Sequence, residues 1–203
     1  MNKGQIRAHF KSLLNRTDCD DTLADTFINQ SIARVERTLR IPPMEKTQSY
    51  TIQSSTSYVT IPSDFLEITD FYYNNTNLAR VPLAKMVEIT EANETGTPRF
   101  FTREGEIMKI YPYPTSGTLK MNYYASFPVM TSDTDENDLA LIGSDLIIYG
   151  ALAYASDYYL DERGPLFEGK FVQFITEMQE QANDAETSGT VQSMQPVALY
   201  IES

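Results

Sequence analysis

The spacing of apolar residues changes twice along this chain, from helical to alternating and back, and few architectures accommodate both changes. Ile6, Phe10, Leu13 and Leu14 recur on one helical face, with Lys3, Arg7, Lys11 and Arg16 elsewhere. A second stripe of Leu23, Phe27, Ile28, Ile32, Val35 and Leu39 follows Asp20 and Asp21, either of which offers an oxygen to cap a helix start. That stripe stops before Ile41-Pro42-Pro43, because a residue preceding proline is pushed out of the α region. Arg34, Arg37 and Arg40 share its far end, where the helix dipole favours cations. A solvated face and a contact patch both remain open for these arginines.

From about residue 46 the period is two. Tyr50 and Ile52 alternate with polar neighbours, and Tyr58-Val59-Thr60-Ile61 runs up to Pro62. Residues 65–73, 78–82, 99–103, 106–111 and 118–126 read as further strands. Turn residues separate several of them: Asn74-Asn75-Thr76-Asn77, Glu104-Gly105 and Thr115-Ser116-Gly117. Glu104-Gly105 predicts a tight hairpin. Residues 83–91 read as a short helix before Gly96-Thr97-Pro98. The expectation is a small antiparallel β unit of roughly five or six strands.

Helix returns after the acidic turn Asp133–Asp138. Ser144 is expected to cap a helix over 145–160. Leu146, Ile147, Ile148, Tyr149, Leu152, Tyr154, Tyr158 and Tyr159 cover nearly all its sides, so it should be buried or shared with a neighbour. Pro165 suits the first turn of a last helix, with Phe167, Phe171, Phe174, Ile175, Met178, Ala182 and Ala185 in one stripe and acidic residues opposite. No repeat of solenoid period stands out. The fold class is therefore α+β: a four-helix core from residues 1–45 and 131–187, an inserted antiparallel β unit over 46–130, and an extended C-terminal tail over 188–203. The tail carries Val191, Met194, Val197, Leu199, Tyr200 and Ile201 without helical period. It reads equally as a disordered end or as an arm laid on another subunit.

Composition narrows function. At 203 residues and 41% hydrophobic, the chain suits a single globular unit, and no apolar run approaches the roughly 18 residues of a membrane span. The start is amphipathic rather than signal-like, which points to synthesis and folding in a cytoplasm. One cysteine and one histidine cannot build a zinc site, which needs about four ligands. Cys19 sits among Asp18, Asp20 and Asp21, whose charge should raise a thiol pKa and leave it inert. The 16 basic and 28 acidic residues give a net charge of −12. Residues 1–100 hold 11 and 12 of these (net −1), and the remainder 5 and 16 (net −11). Such acidity opposes a grip on phosphate backbones, and its plain reading is solubility.

Chemistry leaves little trace. His9 has no acidic residue at helical spacing, and neither a Gly-x-Ser-x-Gly elbow nor a phosphate-cradling loop occurs. Asp133, Asp135, Asn137 and Asp138 superficially suggest a calcium loop, but the positions that need Gly and Glu hold Asp138 and Ser144. Glycosidase carboxylates leave no sequence spacing to test, and no Trp is present to stack a sugar. No catalytic residue, metal or cofactor is expected. The 13 Tyr and 10 Phe cluster at Phe71-Tyr72-Tyr73, Tyr111-Pro112-Tyr113-Pro114 and Tyr123-Tyr124, as core residues or as interface residues.

Several short motifs, in order, carry a resemblance. They are Ile32–Arg40, Ile61-Pro62-Ser63-Asp64-Phe65-Leu66-Glu67, Gly96-Thr97-Pro98-Arg99-Phe100-Phe101, Ile110–Pro114, Tyr123–Pro128 and Ser144–Leu152. Over about residues 25–185 the chain resembles the head-to-tail adaptor (connector, or neck) proteins of short-tailed bacteriophages and their prophage relatives. The resemblance implies a structural virion protein at the head–tail junction, assembled in the host cytoplasm. It implies a homomeric ring of roughly twelve subunits that binds the portal protein and the tail nozzle or tail fibre proteins, and completes a channel through which DNA passes without specific binding.

On that reading, candidate subunit or portal contacts are Tyr149, Leu152, Tyr158, Tyr159, Val197, Leu199, Tyr200 and Ile201. Candidate channel-facing acids are Asp161, Glu162, Glu168, Glu177 and Glu180, whose like charge would keep DNA from sticking. Two competing readings are a tail or host-attachment module that binds surface glycan through its aromatic β unit, and an enzyme such as a cell-wall hydrolase.

Overall fold

The structure is a computed structural model, which describes residues 1–187. The expected arm over 188–203, with Val197, Leu199, Tyr200 and Ile201, lies outside the described residues. Within them the chain mixes helices and sheets, as its two changes of period predict.

Helices α1 (Lys3–Leu14) and α2 (Asp21–Thr38) open the fold. Asn2 and Gln5 form a capping box at the start of α1, and Asp20 caps α2 by accepting from the Leu23 amide. The C-terminal helices are α4 (Asp138–Ile142), α5 (Ser144–Tyr159) and α6 (Gly164–Thr187). Helix α4 was not anticipated. Asn137 caps it by accepting from the Ala140 amide, and Ser144 caps nothing: it is the first residue of α5, preceded by Gly143. A helix of five residues carries no measurable period, so only its cap could have announced it.

These helices share one core, in which Ile6, Phe10, Ile28, Val35, Leu146, Ile147, Leu152 and Phe171 are all buried. Helix α5 packs against α1, α2, α4 and α6. Its expected all-round burial is therefore met largely within one subunit. The helices approach closely at Gly150. A Cβ there would lie 2.2 Å from Ser31 Oγ on α2 and 2.9 Å from the Phe171 ring on α6, so glycine lets both helices touch α5. Ser31 Oγ is buried with no hydrogen-bond partner among the described residues.

The β portion departs from expectation. Eight strands form two four-stranded sheets instead of one antiparallel unit. Strands β1 (Glu45–Ile52), β3 (Phe65–Tyr73), β4 (Thr76–Asn77) and β8 (Gly117–Ala125) pair in the order β1-β8-β3-β4. Strands β2 (Tyr58–Thr60), β5 (Ala79–Arg80), β6 (Phe100–Glu104) and β7 (Ile107–Tyr111) pair in the order β2-β7-β6-β5, with β5 parallel to β6. The run 78–82 thus contributes only a two-residue strand. Helix α3 (Leu83–Thr90) follows it, as expected.

Alternation holds where the strands are long. Leu119, Met121, Tyr123 and Ala125 of β8 turn inward, as do Met108 and Ile110 of β7. The sheets share a second core, in which the Phe71 and Phe101 rings meet edge to face with centroids 5.3 Å apart. The predicted hairpin joins β6 to β7. Gly105 alone in it has positive φ, 60°, the pattern of a type II′ turn.

Two variants test the packing about α5. Gly150→Ala is expected to cost about 1–3 kcal/mol from overpacking, and Ser31→Ala in the same chain should recover part of it; urea unfolding measures both. Leu152→Asp should prevent cooperative unfolding altogether, since Leu152 is fully buried. A native-like melt from that variant would contradict this placement of α5.

Candidate interaction surface

Most basic side chains of the helical part are paired with carboxylates. Arg7 donates to Asp25 at 2.6 and 2.9 Å and to Asp133 at 2.7 and 3.1 Å, and Lys3 pairs with Asp25 at 2.9 Å. This cluster pins α1 to α2 and to the acidic turn. Asp135 folds that turn by accepting from the Thr131 and Ser132 amides, at 2.8 Å each, and these bonds hold its carboxyl below the usual range. The residues that superficially suggested a calcium loop thus brace and cap the chain.

The arginines at the end of α2 are partly internal. Arg34 forms a two-pronged pair with Glu168 on α6, at 2.5 and 2.8 Å, and lies 4.2 Å from the centroid of the Phe171 ring. Arg40 links three elements: its guanidinium pairs with Glu67 on β3 at 2.9 Å, and its backbone exchanges hydrogen bonds with Gln179 on α6. Nearby, Glu36 accepts from the Phe127 amide at 2.8 Å, and burial pushes its carboxyl above the usual range. Arg37 is exposed. The junction between helices and sheets is built of these contacts.

The expected contact residues divide sharply. Leu152 is fully buried and presents nothing to a neighbour. Tyr149 is half-buried against its own α6, its ring beside Phe167 and Phe174 and its hydroxyl accepting from Lys170 at 3.1 Å. Tyr159 lies under Arg16, 4.1 Å from guanidinium carbon to ring centroid, and burial is the main cause that pushes its hydroxyl up to about 12. Tyr158 is different: it is 62% exposed, although its ring meets Phe27 edge-on.

Beside it stands a residue the sequence did not single out. Leu160 ends α5 with φ 54° and ψ 43°, and is 90% exposed. The left-handed conformation costs a branched residue roughly 1–2 kcal/mol, and glycine usually fills this position. A strained leucine held out in water is doubly unfavourable for an isolated subunit, and such outliers concentrate where a surface is used. Leu166, 58% exposed, extends the apolar corner between α5 and α6.

The acidic candidates divide as well. Asp161 is bound to Arg163 at 2.6 Å, which holds its carboxyl at about 2. Arg163 in turn donates to the carbonyls of Leu13 and Leu14, at 3.2 and 3.0 Å, at the end of α1. Glu168 belongs to Arg34. Only Glu162, Glu177 and Glu180 of the five are exposed. Cys19 is buried, and loss of solvent raises its thiol pKa, with Asp18 and Asp20 adding to the effect; His9 is exposed on α1.

Fold and surface together define an α+β protein whose polar groups brace its elements and whose notable exposed feature is an apolar corner. The family model of the SU10 adaptor protein matches residues 1–195, and the chain belongs to that family. This agrees with the resemblance to bacteriophage head-to-tail adaptors, and membership implies a structural component of the virion. No curated protein matches the chain. No helix among the described residues is long and apolar enough to cross a membrane.

The Asp25 cluster predicts an acid response. Burial alone would raise the Asp25 pKa, but hydrogen bonds from Arg7 and Lys3 outweigh it and hold the carboxyl below its ordinary value. Since the folded-state pKa is the lower one, this contribution is complete above about pH 4 and is lost as pH falls through the folded value. Asp25→Asn should lose about 1–3 kcal/mol at pH 7, and its stability should fall less steeply than wild type below pH 4. Urea titrations across pH 2–7 compare the two.

Proposed function

We propose that this chain is a non-enzymatic structural protein that works as one subunit of a homomeric ring, of roughly twelve copies, between the portal and the tail nozzle. The observation that carries the reading is the family match across nearly the whole chain. The geometry supports it in two ways. The apolar corner at Tyr158, Leu160 and Leu166 supplies a surface that an isolated subunit has no use for. In a closed ring, one such heterologous contact is repeated at every boundary, so modest pairwise energy accumulates.

The exposed carboxylates of Glu162, Glu177 and Glu180 suit a lining that repels passing DNA, whereas Asp161 and Glu168 are already neutralised within the subunit. In this arrangement the two-sheet β portion faces tail components, and Leu199, Tyr200 and Ile201 serve as contacts to the portal. The domain plan is a helical body from residues 1–45 and 131–187 with the β insertion at 46–130. The aromatic clusters lend glycan binding little support: Phe71 and Tyr123 lie in the core between the sheets, Tyr111 is equally buried, and Tyr72, Tyr73, Tyr113 and Tyr124 are half-buried.

Leu160→Gly separates this reading from a purely internal role for the corner. It relieves the left-handed strain, so the subunit should be stabilised, by about 0.5–1 kcal/mol. Ring formation on purified portal, viewed by electron microscopy, should nevertheless weaken. Undiminished ring formation by the variant would remove the corner from the interface.

A further inference from the structure

At the opposite end of α6 from that corner lies an apolar groove of about 440 Å³. The Ile41-Pro42-Pro43 segment forms one wall, Met178 and Ala182 of α6 the other, and Ile142 closes its end; no charged side chain lines it. Pro42 and Pro43 are exposed and Ile142 is 51% exposed, so considerable apolar surface is left to water.

We propose that the chain's own C-terminal segment covers this groove, folding back along α6 so that Val191, Met194 and Val197 lie in it. Position is the first argument. Helix α6 ends at Thr187, five residues beyond Ala182 and nine beyond Met178, or about 7 and 14 Å along the helix axis. Four residues of extended chain span about 13 Å. A reversal at Ser188-Gly189 therefore carries Met194 to the level of Met178. Glycine is the residue that tolerates the left-handed turn such a reversal needs.

Chemistry is the second argument. Residues 188–201 contain no charged side chain, in a half of the chain that carries a net charge of −11. An uncharged, apolar-toothed segment matches an uncharged groove. The charged hollow beside Arg34 and Glu168, lined also by Asp157 and Asp161, would reject it. Connection within one chain favours this occupant over a free one, because linkage alone supplies an effective concentration of order millimolar. Leu199, Tyr200 and Ile201 extend past the groove and stay available to a partner, so the inference does not depend on the ring reading.

The test is disulfide trapping in the full-length free subunit, without portal. Cys19 is replaced by Ala, and Gln181→Cys on the groove rim is combined with Met194→Cys. Gln173→Cys with Met194→Cys serves as the control, since Gln173 is exposed but about 12 Å farther along α6. Under mild oxidation in dilute solution, the first pair should form an intramolecular bond at least about fivefold faster than the control, as expected when linkage holds the segment in place. The product is a monomer of altered mobility on non-reducing gels. Equal rates for the two pairs would overturn the proposal. So would predominant cross-linked dimers, which would seat a second copy's segment in the groove.

Discussion

Enclosure of α5 is the constraint from which the rest of the molecule follows. The helix carries apolar side chains around nearly its whole circumference, and no single neighbour can hide it. Helices α1 and α2, from the beginning of the chain, and α6, from its end, are all needed to surround it. The long segment between them must then leave the helical body and return. It does so as a separate pair of sheets with a core of its own. Gly150 sets how tightly the enclosure closes, because both neighbouring helices come within van der Waals range of its backbone.

Charge follows the same logic. A chain with net charge −12 repels itself on compaction, yet most basic residues of its helical part are paired with carboxylates. Arg7 serves Asp25 and Asp133, Arg163 serves Asp161 and two helix-terminal carbonyls, and Arg40 ties a helix end to a strand. Much acidity nevertheless remains exposed, and in the C-terminal helical part it includes Glu136, Asp138, Asp157, Glu162, Glu177 and Glu180.

Much of this was legible in the sequence wherever the signal is local. The cap at Asp20, the first-turn position of Pro165, the stripes of α2 and α6, the Gly105 hairpin and the non-periodic apolar character of α5 all depend on residues a few positions apart. What escaped depends on partners far apart. The Arg7–Asp133 pair spans 126 positions, and nothing near either residue reveals it. The division into two sheets is hidden for the same reason: β1 and β8 are neighbours in space while some seventy residues separate them. Leu152 was misplaced as a contact because apolarity all round a helix does not say whether its own chain or another supplies the cover. Leu160 gave no warning, since leucine is the wrong residue from which to expect a left-handed bend.

One feature of the pairing has an evolutionary meaning. Because Glu45 lies opposite Tyr124, the β portion leaves the helical body and re-enters it through adjacent strands, with its first and last residues side by side. A segment attached through a single doorway behaves as a cassette. Its loops and sheet faces are free to diverge, or to be exchanged wholesale for another module of matching width, while the helices that carry it keep their packing unchanged.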